Sequence, residues 1–530
     1  GNQPSTDWYG VACWRHENSG VRCQKVIACP WKSSCTTSRP TGAQFALESG
    51  NSWFIDLKAF KDLQGIDYAI LCYSNYAQSK SLMCKVIGSE DVPYGLANHR
   101  SPPTWNGEAN VAYISIATMT YDVAIVCYLK TVANEGVCTA LVRAHNFGSS
   151  NYILTKMSVE KCFVCQGADF SAMAVASFQN PNRIDMFTNK YGRGGTGLVC
   201  YGGKDETSNA PVVACRGMVV SYVNQGGLFG GGDIDMGSNQ IVMWTGKPGT
   251  QSIAVAAFDY ESAVVCSNIN GVQFTKCAVV FSTFSHLIRG NDLDDFTLSY
   301  KSQYPTLATL GVKKRSGFVD GSETRVTNRN RQRSDEVILC DRMGFAGRDS
   351  SHCMTLQRRG MKLYKGDEAE FDDMGRGIGP PAVWDVGKIT LCGFAKLGAG
   401  WQVVCTHLGQ DLFFRAQHVN QQDQDERDSF EYSITRFKTI TPITSSGSNM
   451  IAAICYAGKT LPAAYDGQAV NVIKLRCAVM EKFVSQKQIG GTNGYERKVN
   501  LRKNGYQFHH LNPSCDEVVS FPGNQVEVVF

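Results

Sequence analysis

The chain has 530 residues and a formal net charge of +5 at pH 7, and neither value favours nucleic acid or an anionic membrane as a partner. No apolar run approaches the length of about 18 residues that a transmembrane helix requires. The 52 Gly follow no collagen period, and they indicate many tight turns between short strands.

The chain begins at Gly1 without a charged and then apolar leader, which predicts a mature secreted chain whose signal peptide has been removed. It contains 21 Cys. In a reducing cytosol this number would indicate metal sites or redox chemistry, whereas in an oxidising compartment it indicates a disulfide framework. The spacing of the cysteines distinguishes these two interpretations.

One sequence pattern recurs along the chain: an apolar run ends in Cys, a polar turn follows, and a second Cys opens another apolar run. Apolar arms on both sides of such a turn predict a β-hairpin. Directly opposed residues on antiparallel strands meet the distance that a disulfide requires, so each copy predicts one disulfide. The eight copies are Cys13 and Cys23, Cys72 and Cys84, Cys127 and Cys138, Cys200 and Cys215, Cys266 and Cys277, Cys340 and Cys353, Cys392 and Cys405, and Cys455 and Cys477.

A further apolar run precedes most hairpins, for example at 111–119 and 252–258, so each unit contains three or four strands. These units predict an all-β chain that forms a single β-propeller of about eight blades, each with a Cys–Cys cross-linked hairpin. A count of about seven to nine stays open, because residues 157–178 resemble a further hairpin without its second Cys. The predicted repeats of this one domain, 1–530, are 1–50, 51–105, 106–180, 181–245, 246–300, 301–375, 376–425 and 426–530.

The two ends of the chain predict how the ring closes. The first repeat begins directly at its Cys-bearing strand, and residues Gln525–Phe530 form an isolated strand pattern. We therefore expect the C-terminal strand to pair with the N-terminal blade, which removes an exposed sheet edge.

The repeated pattern, seen for example in AIVCY and GLVCY followed by a turn and a second Cys, resembles repeat proteins secreted by marine protists. It is also loosely similar to FG-GAP-type propellers. The resemblance covers most of the chain and rests on short strand motifs. It implies a ring of sheets and an extracellular location, and it implies no activity.

Five cysteines lie outside the hairpins, namely Cys29, Cys35, Cys162, Cys165 and Cys515. Cys29 and Cys35 are close enough in sequence to close a small loop. Cys162 and Cys165 form a CxxC motif, which is a redox pair when it opens a helix in a βαβ context. Here the motif lies in a strand pattern, so we expect one of its cysteines to pair with Cys515 and one cysteine to stay free.

Two loops contain oxygen ligands of the kind that calcium prefers. Asp233, Asp235 and Asn239 lie in a glycine-rich stretch, and Asn291, Asp294 and Asp295 form a weaker cluster. The first set lacks the closing acidic residue of a complete calcium loop. Calcium is the one cofactor that the sequence suggests, and solvated turns are the alternative. The glycines at 192–197 match GxGxxG, but a strand pattern follows them where a dinucleotide site requires a helix.

The strongest charge feature is the stretch 311–336 between two strand patterns. As a long loop it is suited to an acidic glycan, a phosphate-bearing surface or an acidic subunit, and a solvated loop is the alternative. Acidic stretches at 367–373 and 423–428 are complementary to it. Interleaved aromatic residues are absent, which argues against a single-stranded nucleic-acid platform. The predicted binding residues are Lys313, Lys314, Arg315, Arg325, Arg329, Arg331 and Arg333.

The sequence contains no GxSxG, HExxH or P-loop motif, and no catalytic residue is assigned. Propeller active sites assemble from several blades, so the absence of a linear motif does not exclude an enzyme. We expect a secreted structural or adhesive protein that presents loops to an extracellular protein or glycan, as a subunit of an assembly. The alternatives are a glycan-binding propeller of the lectin type and a secreted enzyme with its site on the ring axis.

Overall fold

The computed structural model describes the backbone of the chain in segments, and each of their regular elements is a β-strand. No helix in these segments has the length and the apolar character that crossing a membrane requires. The described residues are 8–16, 20–28, 45–46, 52–61, 67–75, 78–88, 104–107, 109–120, 123–145, 152–157, 159–165, 172–178, 193–225, 228–258, 262–269, 275–283, 286–290, 296–297, 302–309, 336–345, 348–371, 382–385, 388–397, 400–409, 414–419, 437–444, 449–460, 464–465, 468–469, 472–483, 487–488, 495–496, 509–510 and 528–529.

Eight antiparallel sheets of four or five strands follow one another through these segments, and we name them A to H in chain order. Sheet A contains β1 (Trp8–His16), β2 (Gly20–Ala28), β3 (Phe45–Ala46) and the C-terminal β39 (Val528–Val529). Sheet B contains β4 (Ser52–Lys61), β5 (Asp67–Asn75), β6 (Ser81–Gly88) and β7 (Thr104–Asn106). Sheet C contains β8 (Val111–Thr120), β9 (Val123–Lys130), β10 (Glu135–His145), β11 (Tyr152–Lys156) and β12 (Lys161–Val164).

The next three sheets have the same plan. Sheet D contains β13 (Met173–Ser177), β14 (Arg193–Lys204), β15 (Pro211–Gln225), β16 (Leu228–Met236) and β17 (Ile241–Thr245). Sheet E contains β18 (Pro248–Ala257), β19 (Ser262–Ile269), β20 (Thr275–Thr283), β21 (His286–Arg289) and β22 (Phe296–Thr297). Sheet F contains β23 (Ser302–Thr309), β24 (Glu336–Phe345), β25 (Arg348–Arg359) and β26 (Lys362–Phe371).

Sheets G and H complete the series. Sheet G contains β27 (Ala382–Asp385), β28 (Lys388–Leu397), β29 (Gly400–Gly409) and β30 (Phe414–Val419). Sheet H contains β31 (Phe437–Thr444), β32 (Asn449–Thr460), β35 (Val472–Phe483) and β38 (His509–His510). Two short two-stranded sheets consist of β33 (Ala464–Tyr465) with β34 (Gln468–Ala469), and of β36 (Lys487–Gln488) with β37 (Tyr495–Glu496).

The cysteine pairs determine the register of every hairpin. In all eight sheets the two cysteines of the predicted pair lie directly opposite each other. The first six pairs, from Cys13–Cys23 to Cys340–Cys353, are joined as disulfides with Cα atoms 4.0 to 4.1 Å apart. A cross-link between opposed residues excludes a one-residue slip, which would transfer every side chain to the other face of the sheet.

The core consists of apolar layers between successive sheets, and the disulfides lie inside these layers. Cys72 and Cys84 of sheet B pack with Tyr128 of sheet C, while Cys127 and Cys138 of sheet C pack with Tyr201 of sheet D. All of these side chains are fully buried. Successive residues of a strand face opposite sides. The disulfides of sheets B and C therefore face the following sheet, whereas Tyr128 and Tyr201, each directly after a first Cys, face the preceding one.

Neighbouring sheets also touch along one edge of each sheet. The edge strands contact one another in the order β39, β4, β8, β13, β18, β23, β27 and β31, and β31 contacts β39 again. β39 pairs with β1 through Val11 opposite Val529 and Ala12 opposite Val528, as the C-terminal strand pattern predicts. The sheets therefore follow one another in a cycle of edge contacts.

A buried carboxylate links two of these edge strands. Asp56 on β4 is 4% exposed, and its Oδ2 accepts a hydrogen bond from the backbone N–H of Ile116 on β8 at 2.6 Å. Its Oδ1 accepts from the N–H of Leu57 at 2.9 Å. Hydrogen bonds to both carboxylate oxygens offset part of the cost of burying the charge.

Two predictions about residues 157–178 are wrong. The further hairpin does not form, because β12 pairs with β10 of sheet C whereas β13 pairs with β14 of sheet D. The structure also joins Cys162 to Cys165, and neither pairs with Cys515. A β-bulge explains why Cys162 and Cys165 can pair. Cys162 lies opposite Val137 and Val164 lies opposite Gly136, so Phe163 is an extra residue that breaks the alternation of faces.

Candidate functional site

One end of sheet F collects cationic side chains at the surface. Thr309 ends β23 opposite Val337, Glu336 begins β24 opposite Gln357, and the β25–β26 turn follows at this same end. The stretch 310–335 therefore leaves and re-enters sheet F at the end where that turn lies. The predicted binding residues Lys313, Lys314, Arg315, Arg325, Arg329, Arg331 and Arg333 lie outside the described residues.

The β25–β26 turn, which we name the basic hairpin (residues 357–365), presents two cations side by side. Arg359 lies directly opposite Lys362, and both side chains are exposed. Gly360 has a φ of 63°, in the left-handed region that glycine adopts without strain. Like charges directly opposite each other on neighbouring strands are destabilising. The hairpin therefore presents two adjacent positive charges at its turn.

Apolar surface lies next to these cations. Met361 is 38% exposed and Tyr364 is 40% exposed, and both belong to the large apolar side chains that are exposed among the described residues. The guanidinium carbon of Arg359 lies 5.0 Å from the centre of the Tyr364 ring. This distance is within the range of a cation–π contact, which holds the guanidinium beside the ring. The hairpin thus combines an aromatic face with an adjacent positive charge.

A chain of hydrogen bonds orients the Arg359 side chain. Gln357 Nε2 donates to Glu336 Oε1 at 2.8 Å, and Arg359 Nη2 donates to Gln357 Oε1 at 3.3 Å. Arg358 faces the other side of the sheet, where its guanidinium carbon lies 5.6 Å from the Phe258 ring centre. The hairpin is therefore anchored on one face and presents its charge on the other.

The acidic part of β26 lies away from this end. Glu370 is opposite His352, and Phe371 is opposite Ser351, near the other end of the sheet. Lys365 forms an ion pair with Glu368 within the strand. Residues 367–371 of the predicted acidic stretch thus lie towards the end of β26 opposite the turn at Gly360, and residues 372–373 lie outside the described residues. The exposed cations Arg359 and Lys362 lie at the end of the sheet where Thr309 ends β23 and Glu336 begins β24.

The predicted calcium ligands lie at the edge of sheet D. Asp233 and Asp235 are exposed and share one face of β16, and Asn239 lies in the turn after that strand. Asp233 Oδ2 lies 3.5 Å from Lys161 Nζ of sheet C. Among the described residues, no group of three or more His, Cys, Asp and Glu side chains is arranged to hold a metal ion. Calcium binding here stays a prediction, and Asn291, Asp294 and Asp295 lie outside the described residues.

A buried arginine holds the turn that contains Asn239. Arg216 Nη1 donates to the carbonyl oxygens of Gly237 and Ser238, each at 2.9 Å, and Nη2 is paired with Glu206 Oε1. These carbonyl oxygens therefore already accept hydrogen bonds from a cation. The side chain of Arg216 is 10% exposed, so this network secures the turn from inside the sheet.

A second polar network lies in sheet C. Tyr128 Oη donates to Glu160 Oε1 at 2.6 Å, Lys130 Nζ donates to Oε2 at 2.5 Å, and Lys156 Nζ lies 3.3 Å from Oε1. Burial raises the pKa of Glu160, but the hydrogen bonds from Lys130 and Tyr128 and the charges of both lysines leave that pKa lower than the ordinary value. The carboxylate is ionised, and both of its oxygens contact side chains of the same protein.

A third network lies in sheet F, where Asp341 is fully buried directly opposite His352. His352 Nε2 lies 3.3 Å from Glu368 Oε2, and Lys365 is paired with the same carboxylate. Burial is the main reason that the pKa of His352 is lowered to about 4. The imidazole is therefore neutral at neutral pH.

Sequence reasoning missed the basic hairpin and the Asp341–His352 pair, although signals for both exist. Arg-Arg-Gly-Met-Lys at 358–362 has the form of a tight turn between two strands. Asp341 follows Cys340 and His352 precedes Cys353, so a disulfide between opposed cysteines places these neighbours opposite each other as well.

No protein-family model matches the chain, and no curated protein matches it. A solved structure from a study of two prolyl endopeptidases matches 85% of this chain and 53% of its own chain, about half, with 10% identity and a TM-score of 0.36. A Trypanosoma rangeli sialidase matches with 8% identity, 94% and 92% coverage and a TM-score of 0.31. NanB matches with 7% identity, 95% and 93% coverage and a TM-score of 0.28. TM-scores below 0.5 do not establish a common fold.

Proposed function

We propose that the chain is a secreted extracellular scaffold whose sheets are the eight blades of one closed β-propeller spanning 1–530. The cycle of edge contacts and the pairing of β39 with β1 support this arrangement. The disulfides within the hairpins favour an oxidising compartment. Such a scaffold holds its surface loops at fixed positions, which favours binding because little conformational entropy is lost when a partner docks.

The partner that we propose is an anionic glycan, and its binding surface is the basic end of sheet F. The observation that carries this proposal is that the ends of the cation-rich stretch 310–335 and the basic hairpin lie at the same end of one sheet. Sulfate or carboxylate groups would bind between Arg359 and Lys362, where like charges are directly opposed. The exposed ring of Tyr364 supplies an apolar face for a sugar ring.

Affinity chromatography on immobilised heparin tests this proposal, with neutral dextran as the reference matrix. We expect the double variant Arg359→Glu/Lys362→Glu to bind heparin at least tenfold more weakly, because it replaces two attractive charges by two repulsive ones. Tyr364→Ala should also weaken binding without changing the net charge. The loop variant Lys313→Glu/Lys314→Glu tests the predicted loop residues separately.

The matched control is Lys204→Glu/Lys247→Glu, which makes the same change in net charge with two exposed lysines, one at the end of β14 and one between β17 and β18. If this control weakens binding as much as the hairpin variant, the interaction reflects net charge alone and the proposed surface is wrong. Binding to polyglutamate in preference to heparin would identify an acidic protein as the partner and would contradict a glycan.

A further inference from the structure

Cys162–Cys165 differs from the disulfides of the repeated hairpins. In the six described hairpin disulfides every cysteine is 0% exposed, inside a layer between two sheets. Cys165 is exposed at the end of β12, and Cys162 is partly buried. Because thiol–disulfide exchange requires direct attack on a sulfur atom, access to that atom limits its rate. The described disulfides thus fall into a sealed set and one accessible bond.

The accessible bond is also the one whose cleavage disturbs the fold least. It connects residues that are 3 positions apart, whereas the hairpin disulfides span 10 to 15 positions. The chain-entropy contribution of a disulfide increases with the length of the loop that it closes, so the shortest loop contributes least. In addition, Phe163 between the two cysteines is fully buried, and its carbonyl oxygen accepts a hydrogen bond from Tyr201 Oη at 3.3 Å.

Phe163 holds this segment in place by its ring as well. The centres of the Phe163 and Tyr201 rings are 5.0 Å apart, and Phe163 belongs to the apolar layer between sheets C and D. These contacts do not involve either sulfur atom. After reduction, the two thiols would therefore stay near each other, which favours reoxidation of the same pair over scrambling with other cysteines.

We propose that Cys162–Cys165 is a thiol–disulfide exchange site that reacts with extracellular dithiols while the hairpin disulfides stay intact. A thiolate of the dithiol attacks Cys165 Sγ, forming a mixed disulfide and releasing Cys162 as a thiolate that takes a proton from water. The second thiol of the dithiol, as its thiolate, then attacks the first sulfur of the same dithiol, which is bonded to Cys165 in the mixed disulfide. This step releases Cys165 as a thiolate, which is then protonated. Two electrons and two protons pass to the protein, and the dithiol becomes a cyclic disulfide.

Stepwise reduction of the native protein tests the proposal. Free thiols are first blocked with a light alkylating reagent, which also removes the signal of any unpaired cysteine. The protein is then treated with increasing dithiothreitol without denaturant, labelled with a heavy reagent and analysed by peptide mass spectrometry. We expect Cys162 and Cys165 to reach half-labelling at a dithiothreitol concentration at least tenfold lower than Cys127 and Cys138 of the same sheet.

Two results of this experiment would overturn the proposal. One is heavy labelling of Cys127 and Cys138 at the same concentration as Cys162 and Cys165. The other is light labelling of Cys162 and Cys165 before any reductant is added, since the bond would then be absent. The unlabelled hairpin cysteines also report that each sample is folded.

Single variants test which sulfur is attacked. Cys162→Ser leaves only the exposed thiol of Cys165, and Cys165→Ser leaves only the partly buried thiol of Cys162. We expect the Cys162→Ser protein to react with an aromatic disulfide reagent at least fivefold faster than the Cys165→Ser protein. Equal rates, or the reverse order, would contradict the assignment of Cys165 as the attacked sulfur.

Discussion

Sheets C and F contain the same cross-linked hairpin, but they fill one buried position with different chemistry. The residue after the first Cys is Tyr128 in sheet C and Asp341 in sheet F, and both are 0% exposed. Tyr128 donates to Glu160, which Lys130 neutralises. Asp341 lies opposite His352, whose imidazole contacts Glu368. The repeat thus fixes the backbone at this position and leaves its chemistry free to vary.

The difference has a consequence for how each sheet responds to acid. In sheet C the partly buried carboxylate of Glu160 is ionised, with a pKa below the ordinary value. It therefore contributes to stability above about pH 4.5 and loses that contribution only at lower pH. In sheet F the buried imidazole is neutral, because burial lowers its pKa. Mild acid should therefore weaken sheet F before it weakens sheet C.

The largest expected effect is the loss of stability of sheet F between pH 6.5 and pH 4. His352 has an ordinary pKa of 6.5 when unfolded and about 4 when folded, so the unfolded state binds more protons in this window. The contribution of the neutral His352 side chain to stability is fully present above pH 6.5. About 3 kcal/mol is lost as the pH falls to 4, because each pKa unit corresponds to about 1.36 kcal/mol. Hydrogen exchange measured by mass spectrometry should show β24 and β25 losing protection in this window while β9 and β10 keep theirs.

The variant His352→Gln provides the control, because it keeps a neutral polar side chain that does not titrate. We expect its overall stability to change with pH much less than that of the wild type between pH 6.5 and 4. If the variant retains the full pH dependence, other groups cause it and the comparison of the two sheets is wrong on this point.

The next effect concerns the ionic network of sheet C. Glu160→Gln removes the charge that pairs with Lys130 and weakens the acceptor of the Tyr128 hydroxyl, so we expect a loss of about 2 kcal/mol in the free energy of unfolding. Lys156→Met is the comparison, because Lys156 is 32% exposed and its Nζ lies 3.3 Å from the carboxylate. That variant should lose less than about 1 kcal/mol. Urea denaturation at pH 7 measures both losses. Equal losses would contradict the expectation that the Lys130–Glu160 contact stabilises the protein more than the Lys156–Glu160 contact does.

The sequence predicts these features to different extents, for identifiable physical reasons. Cysteine spacing predicts the hairpins, because a disulfide across a short turn requires opposed residues, and the apolar run at the C-terminus predicts the pairing of β39 with β1. The Cys162–Cys165 bond depends on a bulge at Phe163, which no local pattern signals. The contact between Tyr128 and Glu160 spans 32 residues and depends on how β12 returns to β10, which is a tertiary feature.

The smallest effect isolates the hydroxyl of Tyr128. Tyr128→Phe keeps the ring in the layer between sheets B and C and removes one hydrogen bond, of 2.6 Å, to a carboxylate that keeps its contacts with Lys130 and Lys156. We expect a loss of about 1 kcal/mol in the free energy of unfolding. In the Glu160→Gln background the same substitution should cost at least about 0.5 kcal/mol less, since the charged acceptor is already gone. Equal costs in both backgrounds would mean that the hydroxyl contributes independently of Glu160. The polar side chains of sheet C would then not form a coupled network.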